Sequence, residues 1–288
     1  MNDIPLTIIG GYLGSGKTTL LNHLLGQNAG LRLAVVVNDF GSVSVDAALV
    51  AGADGEVLTL VNGCVCCSIS AGFAETLTAL SRRTPPPEHV VVESSGISDP
   101  AKVARYASLP PYRLDGIVVV ADAESVRERA GNRYVGESVV RQLRGADLVV
   151  LNKMDLTTQG ERSALLEWLH ETAPQARVLP ATYGRVPLAA LLGPRVLPAP
   201  PDPQGDDHAA YQTWTIAMQE PLEEAAFRAE VASWPERVLR AKGFVHLAGD
   251  PRRFLFQLVG KRWSLVPDGE WSGQARTEIV LIAILEES

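Results

Sequence analysis

The sequence has only three cysteines in 288 residues, and all three lie between positions 64 and 67. Cysteines so crowded cannot staple distant parts of a fold. This excludes the disulfide framework of a small secreted domain and points to a reducing, cytoplasmic setting. Basic charge is short as well: Lys plus Arg number 26 against 33 Asp plus Glu, for a formal charge of −7. General basicity therefore does not hold this chain to nucleic acid or anionic lipid. Long hydrophobic runs are also missing. The longest uninterrupted apolar stretch, 279–285, falls far short of the roughly 20 residues that span a bilayer. The opening Met1-Asn2-Asp3 has no basic run, and Gly10-Gly11 interrupts the apolar stretch behind it, so no secretory leader is expected. Neither nucleic acid nor a membrane is expected as a partner.

Apolar residues make up 46% of the chain and charged residues 20%, a balance that supports packed cores rather than disorder. The length allows one large domain or two ordinary ones. Short Val/Ile/Leu-rich runs at 6–9, 33–37, 57–61, 90–92, 117–120 and 148–151 are continuous rather than alternating, the mark of strands buried on both faces. Between them, residues 18–25 set Leu20, Leu21, Leu24 and Leu25 on one helical face; Phe73, Leu77 and Leu80 form a second stripe, and 164–169 lie in a third helix. Repeated strand–helix–strand predicts an α/β fold with a mostly parallel sheet covered on both faces, over 1–193. Five of the 19 prolines then fall between 194 and 203, which predicts a stiff linker over 194–209. Beyond it, strands at 211–218, 238–248, 254–259 and 279–285 and a helix at 222–233 predict a smaller α+β domain over 210–288.

Gly11-Tyr12-Leu13-Gly14-Ser15-Gly16-Lys17-Thr18 fits G-x-x-x-x-G-K-[ST], directly after a strand and directly before a helix. The glycines let successive backbone N–H groups turn inward around phosphate oxygens, and the helix presents its positive end to the same anion. Gly11, Gly14, Ser15, Gly16, Lys17, Thr18 and Thr19 are thus nucleotide contacts, with Lys17 reaching the β- and γ-phosphates and the Thr18 hydroxyl on Mg²⁺.

Asn152-Lys153-Met154-Asp155 follows the 148–151 strand, at the end of a strand where open α/β sheets bind ligands. An ionised Asp155 accepts from both N1–H and the exocyclic amine of guanine, whereas adenine leaves that charge unpaired, so GTP and GDP are expected rather than ATP. Lys153 packs its stem along the base, and Asn152 ties this turn to the phosphate loop. Two segments between these motifs are the expected switches: Asn38-Asp39-Phe40-Gly41 and Glu93-Ser94-Ser95-Gly96. A carboxylate closing an apolar strand beside the phosphate loop holds Mg²⁺ or its water, which makes Glu93 and Asp39 catalytic candidates beside Lys17. Gly96 lets the backbone approach a γ-phosphate and rearrange when it leaves. Helix or turn caps are the plainer reading of Asp39 and Glu93, and Asp122 is read as such a cap. No arginine stands out as a finger, and the intrinsic hydrolysis rate is expected to be slow.

Asn62-Gly63-Cys64-Val65-Cys66-Cys67 holds the whole cysteine content. Concentrated thiolates suit Zn²⁺ or Co²⁺. Two or three sulfurs leave a four-coordinate shell incompletely closed, as a site that gives up its metal needs. Buried apolar cysteines, or a redox-sensing pair, are the alternatives. The cluster lies between the two switch segments, so hydrolysis can be linked to metal affinity.

Together these motifs resemble the CobW-type GTPases, the metallochaperone branch of the SIMIBI P-loop class. Asp46, Asp99-Pro100 and, in the second domain, Arg240-Ala241-Lys242-Gly243-Phe244 add to the likeness. The resemblance implies a GTP hydrolase that allocates zinc or cobalt to a client metalloprotein or a cofactor-synthesis enzyme. It also implies a metal site near the nucleotide formed with Cys64, Cys66 and Cys67, and a homodimer that depends on nucleotide or metal. Three departures stand out. Asp39 occupies a position usually held by Glu. The linker keeps only Asp206-Asp207-His208 where many members have a histidine-rich tract, and no further helix follows the last expected strand.

Overall fold

The computed structural model describes residues 3–27, 31–38, 56–60, 69–193 and 211–285. The chain divides into two compact units, Met1–Leu191 and Leu192–Ser288. The proline-rich stretch expected as a linker lies outside the described residues.

In the first unit the apolar runs become strands β1 (Ile4–Gly10), β2 (Leu33–Asn38), β3 (Glu56–Leu60), β4 (His89–Glu93), β5 (Tyr112–Asp122), β6 (Leu148–Asn152) and β7 (Arg177–Pro180). They form one sheet in the order β3-β2-β4-β1-β5-β6-β7, and every pairing is parallel. The helices are α1 (Lys17–Gly26), α2 (Ile69–Ser81), α3 (Pro100–Ala104), α4 (Val126–Ala130), α5 (Gly136–Arg144), α6 (Gln159–Thr172) and α7 (Leu188–Leu192).

Strand alternation sorts the core. Leu6, Ile8, Val36, Val90 and Val92 face Phe73, Leu77 and Leu80 of α2. Further along, Val119, Ala121, Val149 and Leu151 face Leu143 of α5 and Leu165 and Leu169 of α6. Ile8 pairs with Ile117 in register, so these two clusters share one face of the sheet. Thr7, Ile9, Val35, Val37, Val91 and Val120 point to the other face and are equally buried, as are Leu20, Leu21, Leu24 and Leu25 of α1.

Right-handed crossovers explain this division and locate the site. From β1 the chain moves toward the β3 edge; from β4 it moves past β1 toward the β7 edge. Crossovers in opposite directions, each right-handed, lie on opposite faces. A crevice therefore opens outside the carboxyl ends of β1 and β4, the topological switch point where such sheets take ligands.

The second unit carries β8 (Tyr211–Met218), β9 (Val238–His246), β10 (Arg253–Val259), β11 (Arg262–Pro267), β12 (Thr277–Ile284) and α8 (Glu224–Ser233). The sheet is antiparallel, in the order β11-β10-β9-β12-β8. Phe227 and Val231 of α8 pack on Val245, Phe256 and Ile279, with the Phe227 and Phe256 rings edge-to-face at 5.1 Å. Within Arg240-Ala241-Lys242-Gly243-Phe244, a Cβ at Gly243 would stand 2.0 Å from the Glu278 carbonyl oxygen of β12, so this strand pair admits no side chain there. Among the described residues, no helix is long and apolar enough to cross a membrane.

Two strands go beyond the sequence expectations. Strand β7 is four residues long and closes on Pro180, a residue tolerated at the edge of a sheet. Strand β11 turns back from β10 through Gly260, whose φ is +56°, and is mostly exposed, so it carries little apolar alternation.

Candidate functional site

The phosphate loop leaves β1 at Gly10 and enters α1 at Lys17. Gly11 has a φ of +137°, and a Cβ there would stand 2.3 Å from the Val120 carbonyl oxygen of β5. Gly16, at +101°, takes the N-cap position of α1, and a Cβ there would meet Asn152 Nδ2 at 2.3 Å. Side chains are excluded at both positions by backbone conformation and by space. Gly14, also at a positive φ of +76°, and Leu13 are exposed. The Ser15 amide donates to the Tyr12 carbonyl at 3.2 Å, closing the turn. Gly16 at the N-cap has no side chain to cap α1, and a helix N-terminus presents N–H groups suited to an anion. Lys17 is buried and folds back over the loop, with Nζ donating to the Gly11 carbonyl at 3.0 Å. Thr18 is half-buried and Thr19 exposed beside it.

Asn152 closes β6 and is 2% exposed. Its Nδ2 donates to the Ser15 carbonyl at 3.0 Å and its Oδ1 accepts from the Gly184 amide at 2.8 Å. Lys153 follows with a left-handed φ of 64°, and its Nζ pairs with Asp122 Oδ2 at 2.7 Å. Burial alone raises the Asp122 carboxyl, but hydrogen bonds from Lys153 Nζ and the Glu124 amide outweigh it and hold the carboxyl below its ordinary range. Asp122 is thus more than the cap expected of it: it caps Glu124 and anchors Lys153 across two strands. Met154 is buried in the short turn Met154–Leu156, and Asp155 stands exposed in that turn.

Glu93 closes β4 and is buried. The Ser94 amide donates to the Ile9 carbonyl at 2.8 Å, continuing the β1–β4 ladder to the crevice. Gly96 does not have a positive φ. Its requirement is close approach, since a Cβ would stand 2.7 Å from Leu13 Cδ2 and 2.9 Å from Leu13 N. The Gly96 carbonyl accepts from the buried Gln142 Nε2 of α5 at 3.0 Å. Asp99 accepts from the Ala101 amide at 3.0 Å and caps α3. Arg129 of α4 donates Nη1 to the Leu13 carbonyl at 2.6 Å.

The structure thus brings together Gly11, Gly14, Ser15, Gly16, Lys17, Thr18, Glu93, Gly96, Asn152 and Lys153 at the carboxyl edge of one sheet. Asp39, Phe40, Gly41, Asp46 and the cysteines Cys64, Cys66 and Cys67 lie outside the described residues. Strand β2 ends at Asn38 and β3 at Leu60, so the last described residue before each segment stands at that same edge. Among the described residues, no group of three or more His, Cys, Asp or Glu side chains converges as a metal site. Sequence reasoning missed Arg129, Gln142, Gly184 and the anchoring role of Asp122. Only Asp122 carries a sequence signal, a carboxylate at the end of an apolar strand.

A positively wound glycine loop between a central parallel strand and a helix, with a lysine folded across it, defines the P-loop nucleotide-binding class. Residues 5–180 match the family described as CobW/HypB/UreG, nucleotide-binding domain, and residues 211–287 match the cobalamin synthesis protein cobW C-terminal domain. The chain belongs to the CobW family of P-loop GTPase metallochaperones, with a SIMIBI-class fold. A zinc chaperone CobW from a Sinorhizobium species is 30% identical over 336 residues, covering 98% of this chain and 93% of that protein. The zinc chaperone YjiA of Escherichia coli is 29% identical, covering 95% of this chain and 92% of its own. Among solved structures, Zn(II)-bound YjiA GTPase from E. coli superposes with a TM-score of 0.50 at 24% identity, over 99% of this chain and 95% of that one, a likeness of fold.

Proposed function

We propose that this chain is a cytoplasmic GTP-hydrolysing metallochaperone. It holds a divalent metal, zinc or cobalt, at Cys64, Cys66 and Cys67 and delivers it to a client metalloprotein or a cofactor-synthesis enzyme. The observation that carries this reading is the strand order. Along one edge of the sheet the motif-bearing strands run β3 (before the cysteines), β2 (before Asp39), β4 (Glu93), β1 (phosphate loop), β5 (Asp122) and β6 (Asn152). The strand leading to the thiolates is three positions from β1, about 14 Å at ordinary strand spacing. The strands that lead to the two switch segments, β2 and β4, stand between them. The relatives named as zinc chaperones favour zinc as the cargo.

The residues present fit the nucleotide and its Mg²⁺. The cradle that a Cβ at Gly11 or Gly16 would fill is left open by glycine, and Lys17 Nζ already stands over it on the Gly11 carbonyl, within the loop that takes the phosphates. Backbone N–H groups of Gly14 and Gly16, that of Ser15 on exchanging the Tyr12 carbonyl for phosphate, and the α1 N-terminus bind and orient the β-phosphate. Thr18 supplies a hydroxyl ligand, and Mg²⁺ when bound neutralises charge on the β- and γ-phosphates. Glu93, with Asp39, orients the attacking water. Asp155 accepts from guanine, Lys153 covers the base, and Asn152 fixes their turn to the loop. Gly96 lets its backbone approach the γ-phosphate and rearrange when that phosphate leaves. Release changes the switch segments, which flank the cysteines in the sequence, and two loaded copies pair to complete the cycle.

Metal content and nucleotide selectivity, measured on protein purified under reducing conditions, test this reading. The expected result is preference for GTP and GDP over ATP, with bound zinc or cobalt lost when Cys64, Cys66 and Cys67 are all changed to Ser. Undiminished metal in that triple variant would overturn the cargo site. A metal-free protein that forms a reversible disulfide on mild oxidation would instead make this a GTP-dependent assembly factor with redox-sensing cysteines.

A further inference from the structure

We propose that Arg129 is a positioning residue that braces the phosphate loop from its outer side and strengthens its grip on phosphate. The inference rests on the nucleotide reading of that loop. Arg129 projects from the short helix α4, which Val126 anchors in the core beneath it. Its guanidinium meets two consecutive loop residues, Tyr12 and Leu13, and lies near the third, Gly14. Nη1 donates to the Leu13 carbonyl at 2.6 Å, and the guanidinium carbon stands 5.3 Å from the centre of the Tyr12 ring. Nη2 is 4.0 Å from where a Cβ of Gly14 would be.

The chemistry follows from the peptide unit itself. In a trans peptide, C=O and N–H point in opposite directions. With the Leu13 carbonyl held outward by Arg129, the N–H of the same peptide, that of Gly14, is directed away from the guanidinium, toward the concave side. A charge-assisted bond at the carbonyl polarises that N–H and makes it a better donor to a phosphate oxygen. Gly14 has no side chain and its φ of +76° is one of several conformations open to glycine, so a neighbour that fixes the adjoining carbonyl selects it. The stack on Tyr12 supplies a planar surface that guanidinium fits and ammonium does not. Gly96 comes close to the backbone N and side chain of the same Leu13, so this loop residue is held both by Arg129 and by the segment that carries Gly96.

The test compares Arg129→Ala and Arg129→Lys with the unmodified chain. The readouts are affinity for GTP, GDP and guanosine, the split of hydrolysis into kcat and KM, and unfolding in urea. Arg129→Ala is expected to weaken GTP and GDP about tenfold, to leave guanosine unchanged and to raise KM with little change in kcat. Arg129→Lys is expected to fall between the two, keeping the charge but losing the fork and the stack. The unfolding midpoint is expected to stay put. Equal weakening of guanosine and GTP, or a lowered unfolding midpoint that accounts for the loss, would make Arg129 a structural contact only and overturn the proposal. Unchanged GTP and GDP affinity in Arg129→Ala would overturn it too. The preference of the unmodified chain for GTP over ATP is read separately, so failure of the guanine assignment is distinguishable from failure of this one.

Discussion

Asn152 donates Nδ2 to the Ser15 carbonyl across the carboxyl edge of the sheet, at 3.0 Å. Two stretches 137 positions apart in the chain are thereby joined, the proposed phosphate cradle at one end of the bond and the proposed base-recognition turn at the other. Replacing Asn152 by Ala removes both of its bonds and leaves the Ser15 carbonyl and the Gly184 amide without that partner. The expected cost is about 1–3 kcal/mol of folding stability, with weaker GTP binding in addition. Urea unfolding without nucleotide isolates the first effect and nucleotide titration the second.

Gly16→Ala introduces a Cβ at 2.3 Å from Asn152 Nδ2, on a backbone with φ of +101°. The loop must move or Asn152 must withdraw. Loss of nucleotide affinity by tenfold or more is expected, with a destabilisation of about 1–3 kcal/mol. Binding of labelled GDP measures it. By contrast, Gly26→Ala, in the last turn of the same helix with nothing near its Cβ, is expected to leave binding intact.

The Lys153–Asp122 pair predicts a pH signature. The folded carboxyl titrates below the ordinary value of 3.8. Its contribution to stability is therefore complete above about pH 3.8 and is lost as the pH falls through the lower, folded value. The stability gap between the unmodified chain and Asp122→Asn, followed by urea unfolding, is expected to be constant from pH 7 to 5 and to close only below pH 4. A gap that closes near neutrality would mean that another group holds the turn.

Much of the site is legible in the sequence because its chemistry is local. A phosphate loop needs glycines at fixed offsets within one turn, and a buried parallel strand reads as a continuous apolar run, as at β1, β4 and β6. Asn152 is legible for the same reason, since it stands in a four-residue pattern at the end of such a run. Arg129 and Gln142 are not, because each acts through one hydrogen bond to a backbone carbonyl distant in sequence, and any arginine or glutamine on a helix looks alike before the chain folds. Asp122 lies between these cases: its strand end was legible, its partner was not. Strands β7 and β11 escaped because both are short edge strands with little apolar alternation, which neighbours recruit rather than pattern dictates.

Asp155 stands exposed in its turn, so changing it probes recognition without disturbing the core. Asp155→Asn is expected to leave folding stability within about 0.5 kcal/mol while weakening GTP and shifting preference toward xanthine nucleotides, whose base offers an acceptor where guanine offers a donor. Competition between GTP and XTP measures the shift; an unchanged ratio would remove Asp155 from base recognition.

The central claim is that the nucleotide state governs how tightly the thiolates hold a metal. The direct measurement is a titration of the reduced protein with Zn²⁺ and with Co²⁺, once with a non-hydrolysable GTP analogue and once with GDP. A coupling of about 1–3 kcal/mol, of the size usual for linked sites, appears as a fivefold to hundredfold difference in metal affinity between the two states. Such a difference, abolished by the triple Cys64, Cys66 and Cys67 to Ser change, is the expected result. Identical metal affinity with the analogue and with GDP would contradict it.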